Sequence, residues 1–211
     1  MKRFVPWLIA LILVGGLCWV FPPFRVHSLK AVRETQASQQ FNAADFVGRF
    51  WGERLLPAME KAAEATQVLA VLANGPAKVR EQFGRTVGVS SSYFLFVRGL
   101  GRVVSASDDS IGLALKSMGD TADIVVVLGL VFGNAVRDGT GLLDSSSYPN
   151  AQEFNDISAA LNSVVETNVL PQLQQMAKVG IRIQFAGCVE VADEEADLKP
   201  LKLVPITVKP E

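Results

Sequence analysis

From Phe4 to Phe24 the chain runs for 21 residues without a charge. As a helix, such a run spans roughly 30 Å, the thickness of a bilayer's hydrocarbon layer. Backbone of that length satisfies its own polar groups in lipid only as a helix. Trp7 and Trp19 stand near the two ends, where amphipathic rings suit the membrane interface. Lys2 and Arg3 precede the run, so the amino terminus is expected to stay in the cytoplasm while the remainder crosses. Pro22-Pro23 closes it. No small-x-small motif follows, which argues against a cleaved signal peptide. Cys18 offers a lipid attachment point, but Leu17 stands where a lipoprotein signal carries a small residue. Residues 1–24 are therefore read as an uncleaved signal anchor, with cleavage and lipidation at Cys18 as alternatives. Residues 25–42 read as a tether, and 43–211 as the folded domain.

Charge narrows the partners of that domain. The first four charges of the chain, Lys2, Arg3, Arg25 and Lys30, are basic, which leaves 16 of the 20 basic residues against 21 acidic ones, a net of −5. Nucleic-acid binders carry the opposite sign or a basic stripe; neither is present, and no nucleic-acid partner is expected. Two cysteines, one of them in the apolar run, build no disulfide framework. The single histidine, His27, lies beside the anchor, which leaves no material for a histidine metal site or a Ser-His-Asp triad. No catalytic residue, metal or cofactor is assigned.

The periodicities give an α+β order. Asn42, with Asp45 three positions on, reads as a helix start. Phe46, Val47, Phe50, Trp51 and Leu55 follow at helical spacing. Pro57 interrupts or kinks this helix, which an alanine-rich run continues to Ala73. Asn74-Gly75 stops it, and Pro76 opens a short helix ending at Gly84. Strand-forming stretches come next: Tyr93–Val97, a turn at Gly99-Leu100-Gly101, Arg102–Ala106, Ile111–Leu115, and Asp123–Leu128 continuing to Phe132. A helix carries Phe154, Ile157, Leu161, Val164, Val165 and Val169 on one face, ended or broken by Pro171. Ile181, Ile183 and Phe185 alternate as a half-buried strand, Gly187 suits a bulge, 193–197 reads as a solvated acidic loop, and the last strand runs from Leu201 to Val208. The expected fold is a helical part, 43–84, packed on a small antiparallel barrel, 91–211. A long helix between strands 3 and 4 is the layout of the oligonucleotide/oligosaccharide-binding (OB) barrel. Phe50, Trp51, Leu55, Phe154, Leu161 and Val165 are the expected core.

Arg137-Asp138, preceded by Asn134, is either a buried ion pair holding a loop or part of a binding groove. The structural role is preferred, because charges among glycine and apolar residues need partners. The three residues stand as the candidate ligand contacts. Asn155 and Asn162, seven apart on the long helix, either bond to the barrel or face solvent. Turn chemistry accounts for Asp108, Asp109, Asp120 and Asp123, whose spacing matches no calcium loop. Cys188 beside Gly187 reads as a small buried side chain rather than a catalytic thiol.

These stretches, taken in order, resemble a known family. The Phe21-Pro22-Pro23-Phe24-Arg25-Val26 exit, Phe46–Pro57, Tyr93 through Gly99-Leu100-Gly101-Arg102-Val103, Gly129–Asp138, Ala159-Ala160-Leu161-Asn162, Gly187 after Phe185 and Pro205–Val208 are similar to the predicted periplasmic lipoproteins of domain-of-unknown-function family 2291. The resemblance implies an exported, membrane-associated bacterial protein; the apolar run and its basic flank add the expectation of a single pass through the cytoplasmic membrane with the carboxy-terminal domain in the periplasm. The resemblance also implies encoding beside sugar-type ABC transport systems, and it carries no activity. The expected role is a non-catalytic binding or accessory component, with ABC transporter subunits or a small-solute-binding protein as partners. A structural docking module and a carboxylate-dependent hydrolase using Asp109, Asp120 or Asp138 are the alternatives.

Overall fold

Asn42 begins the folded unit as the sequence predicts: its side chain accepts from the backbone N–H groups of Ala44 and Asp45 and caps helix α1, Ala43–Phe50. The structure, a computed structural model, describes residues 41–88, 90–116 and 119–211. The expected anchor, nearly all of the tether and Cys18 lie outside them. Among the described residues no helix is long and apolar enough to cross a membrane. The chain divides into two units, and Asn42–Glu211 is the one described here.

Pro57 does not break α1. The helix widens into one π turn, Trp51–Leu55, directly before the short turn Leu56–Ala58 that holds the proline. Proline lacks an N–H and its ring crowds the carbonyl four residues back; a wider turn moves that carbonyl away. The same device recurs at Pro171. Helix α5, Ala151–Val164, passes through a π turn, Val165–Val169, into α6, Leu170–Met176. Along this rod Phe154, Ile157, Leu161, Val165 and Val169 are buried, whereas Val164 is half-buried. On the α1 side Phe50 and Leu55 are buried and Trp51 is half-buried.

The alanine-rich run departs from the expected single helix. After Met59–Lys61 the chain extends at β1, Ala63–Glu64, before α2, Ala65–Leu72. Alanine's helical preference is a weak prior here, overridden by parallel pairing of β1 with Val97 and Arg98. Gly75, at φ 112°, then leads into α3, Pro76–Phe83.

Strand β2, Tyr93–Ala106, is continuous through Gly99 and Gly101, where a turn was expected. Neither glycine has positive φ. Their role is spatial, because a Cβ on Gly99 would stand 3.1 Å from the Phe185 ring and one on Gly101 3.0 Å from Leu113. β3, Ser110–Ala114, and β4, Ile124–Val127, follow as antiparallel neighbours. β4 stops well before Phe132. A short helix α4, Ala135–Gly139, precedes α5, and β5, Arg182–Val191, returns along β2 from Arg102 to Tyr93.

The segment 201–210 draws the sheet together. β6, Leu201–Lys202, pairs in parallel with β4, and β7, Val204–Pro210, pairs antiparallel with β5. Only Leu203 separates them, and its N–H donates to Val125 O at 2.9 Å. One extended segment thus bridges the two flanks of a curled sheet in the order β6-β4-β3-β2-β5-β7. The expected wholly antiparallel sheet is corrected at β1–β2 and β4–β6. The long helix does lie between the third and fourth long strands.

The acidic stretch is a helix, not a loop. Asp193 caps α7, Glu194–Leu198, and accepts from the N–H groups of Glu195 and Ala196. Burial works to raise the Asp197 carboxyl, but bonds from the N–H groups of Asp193 and Ala192 and from the Lys202 ammonium outweigh it. They hold it below the ordinary carboxylate range. Stability from a carboxyl held low is complete above about pH 4 and is lost as pH falls through the lower folded value. Asp197→Asn should therefore cost about 1 kcal/mol at pH 7. Urea titrations should show that deficit shrinking as pH falls below the ordinary carboxylate range.

Candidate binding groove

Alternation along β2 sends Leu95, Val97, Gly101 and Val103 inward and Phe94, Phe96, Arg98 and Leu100 outward. Helix α4 covers part of the outer face: Gly139 lies so close to Phe94 and Cys188 that a Cβ there would meet the Cys188 Sγ at 2.8 Å. Below α4 the outer face is open, and pairing sets two rows across it. Arg98 faces Ala186, which faces Thr207; Leu100 faces Gln184, which faces Lys209. Met59, Glu60 and Glu64 form a wall beside them. The resulting groove has a volume of about 560 Å³, within the range of small-ligand sites. Ala186 supplies a small side chain at the middle of the floor. Arg98 Nε donates to Glu64 Oε1 at 2.8 Å, and both side chains are about 40% exposed (40% and 43%).

The residues singled out from sequence lie elsewhere. Arg137 and Asp138 sit on α4 as a bidentate pair, Nε to Oδ1 at 2.8 Å and Nη2 to Oδ2 at 2.9 Å, with side chains only 7% and 6% exposed. Arg137 Nη1 donates to Asn155 Oδ1 at 3.1 Å and Phe154 O at 3.4 Å, and the guanidinium lies 4.0 Å from the Phe154 ring. Ring contacts continue from Phe154 to Tyr148, Phe46 and Phe50, tying α4 and α5 to α1. Asn134 Oδ1 accepts from Ser158 Oγ at 2.9 Å, and Gly133 O accepts from Ser158 Oγ and Asn162 Nδ2. Every nitrogen of the Arg137 guanidinium therefore donates to the protein, which makes this cluster a latch between α4 and α5. Asn134, Asn155, Ser158 and Asn162 line a second hollow at its edge, outside the larger groove.

The turn carboxylates are not gathered into one site. Asp123 accepts from Leu115 N–H, Asp120 lies 3.4 Å from Arg102, and among the described residues no three metal-capable side chains come together. Cys188 is fully buried, and burial pushes its thiol up, away from the reactive thiolate. Burial and then the Glu194 carboxylate push the Tyr93 phenol up to about 12.

Arg98, Gln184, Thr207 and Lys209 were not distinguishable as a site from sequence. The alternation of Ile181–Ala186 does mark Gln184 as outward. Which outward side chains become neighbours depends on register between strands far apart in the chain.

A family model for predicted periplasmic lipoproteins, domain-of-unknown-function family 2291, matches residues 8–209. The chain belongs to this family. No curated protein matches the chain. A crystal structure of an OB-fold protein from Thermotoga maritima is similar at 23% identity with a TM-score of 0.71, covering 81% of this chain and 99% of that one. At that identity the likeness concerns the fold, and it agrees with a curled sheet carrying its helix between β4 and β5. The family's description places its members in the periplasm.

Proposed function

We propose that this family member is a non-catalytic binding module, held at the periplasmic face of the cytoplasmic membrane by residues 1–24. It takes a small polar solute in the groove on β2, β5 and β7 and serves a small-solute ABC transport system as an accessory component. The observation that carries the reading is the double row across three strands, which lines one hollow with Arg98, Gln184, Thr207 and Lys209 beside Glu60 and Glu64. The net acidic charge beyond Lys30 speaks against a nucleic-acid ligand for this barrel.

The test is a panel of sugars, polyols, amino acids and hydroxy acids followed by backbone amide shifts. Perturbations should concentrate at 98–100, 184–186 and 207–209; shifts confined elsewhere, or none, overturn the reading. Affinity purification from intact membranes should co-purify a permease or its ATPase, and recovery of neither removes the transport role. A docking module is the second reading, favoured by Leu130 and Phe132. These are 71% and 79% exposed on a loop pinned through Val131 N–H to Glu166.

A further inference from the structure

The groove has a polarity along its length that names a ligand chemistry, an inference that rests on the binding reading above. Arg98 spends its Nε on Glu64, and its two Nη groups make no hydrogen bond to another described residue. The side chains of Gln184, Thr207 and Lys209 likewise make none among the described residues. Pairing places these donors around Ala186, a small and buried side chain on the floor of the groove. Neighbouring strands lie about 4.8 Å apart and residues two apart on a strand about 6.7 Å. Long Arg and Lys side chains two strands apart therefore reach a common point above Ala186. Glu60 and Glu64 stand on the facing wall and present acceptors.

The four charges lining the groove, Arg98 and Lys209 against Glu60 and Glu64, sum to zero. With one edge of Arg98 held by Glu64, the donor end carries cationic capacity for a single negative charge. A dianion such as phosphate would sit beside two carboxylates without enough compensation. An uncharged polyol would leave Lys209 and the two Nη groups of Arg98 without an anionic acceptor. We propose that the groove binds a small hydroxylated monocarboxylate, its carboxylate above Ala186 between Arg98, Thr207 and Lys209 and its hydroxyls donating to Glu60 and Glu64. Glu64 then holds Arg98 in place at the cost of part of its charge.

The experiment compares D-gluconate with D-glucitol, two six-carbon chains that differ in a terminal carboxylate, and with inorganic phosphate. Calorimetry on the full chain in detergent is the readout. Gluconate should bind roughly tenfold or more tighter than glucitol, the scale of a charge-assisted hydrogen bond. Arg98→Gln and Lys209→Gln should each remove most of that difference, and Glu64→Gln should raise gluconate affinity several-fold. Unchanged thermal unfolding of the variants shows that the fold is intact. Equal binding of gluconate and glucitol, both sensitive to Thr207→Val, overturns the carboxylate assignment and leaves the groove reading standing. Phosphate binding tighter than gluconate overturns the monoanion assignment, as does a gluconate preference that survives both cation variants. Failure of all three probes to bind, with the broader solute panel also silent, overturns the inference and the groove reading together.

Discussion

Asp138→Ala should lower the unfolding free energy by about 3–5 kcal/mol, the cost of breaking a buried ion pair from one side. The variant strips Arg137 of both its carboxylate bonds while the guanidinium stays enclosed against Phe154. Asn155 Oδ1 and Phe154 O remain as its acceptors, and neither carries charge. Arg137→Met should be comparably damaging, since it leaves the Asp138 carboxylate without its cation in the same enclosure. The double variant Arg137→Met/Asp138→Leu should cost less than either single change, because apolar replacement removes the desolvated charges together. Urea titrations of the four proteins give the coupling. An Asp138→Ala deficit of about 1 kcal/mol or less, the range of an exposed pair, would remove the latch. The pair matters to function indirectly. It fixes α4 over Phe94 and Cys188, and that cover confines the open part of the outer face to the rows through Arg98 and Leu100.

The legible parts of this fold are those decided within one turn or one strand. Asn42 as a cap, Pro76 after Gly75 as a helix start and the buried stripe from Phe154 to Val169 follow from local stereochemistry and period. Gly187 was placed as a bulge from its position in an alternating strand, and the β5–β7 register does shift between Ala186 and Gly187. The misread parts were decided by distant partners. Gly99 and Gly101 look like turn residues until Phe185 and Leu113, on other strands, are seen to occupy the space of their side chains. The stretch Leu128–Phe132 has strand-forming residues but pairs with no strand among the described residues. The acidic run 193–197 is polar enough for a loop, yet Asp193 turns it into a capped helix and Asp197 gains backbone donors there. The groove was hidden for the same reason. No segment contains it, and its rows exist only once β2, β5 and β7 are in register. Arg137 and Asp138 stood out because adjacent opposite charges among small residues are conspicuous, and the structure buries the pair.

Gly187→Ala carries the second large expected effect, because it strikes the segment that draws the sheet together. A Cβ at Gly187 would stand 2.3 Å from the carbonyl oxygen of Val204 and 2.9 Å from Pro205 Cα. Both are backbone atoms, so no rotamer change relieves the overlap, and β7 must move away from β5. Overpacking of this kind costs about 1–3 kcal/mol and sometimes more; the upper end or beyond is expected here. The segment 201–210 also pairs with β4 through Leu201 N–H to Asp123 O and Leu203 N–H to Val125 O, so displacement at Pro205 propagates to that seam. Hydrogen exchange should show lost protection at 201–208 while α5 keeps its own, since the helix bonds are local. Gly48→Ala is the matched control. Gly48 is an exposed residue within α1 with no atom within 4 Å of an added Cβ, and the change should stabilise by about 0.5–1 kcal/mol. Equal behaviour of the two glycine variants in urea, or protection lost uniformly across the domain, would mean that the β5–β7 contact does not govern closure. In that case β2–β5 pairing would still align Arg98 with Ala186, and Thr207 would have to be held in line by the β5–β7 bonds from Ile183 to Ala186, before the bulge.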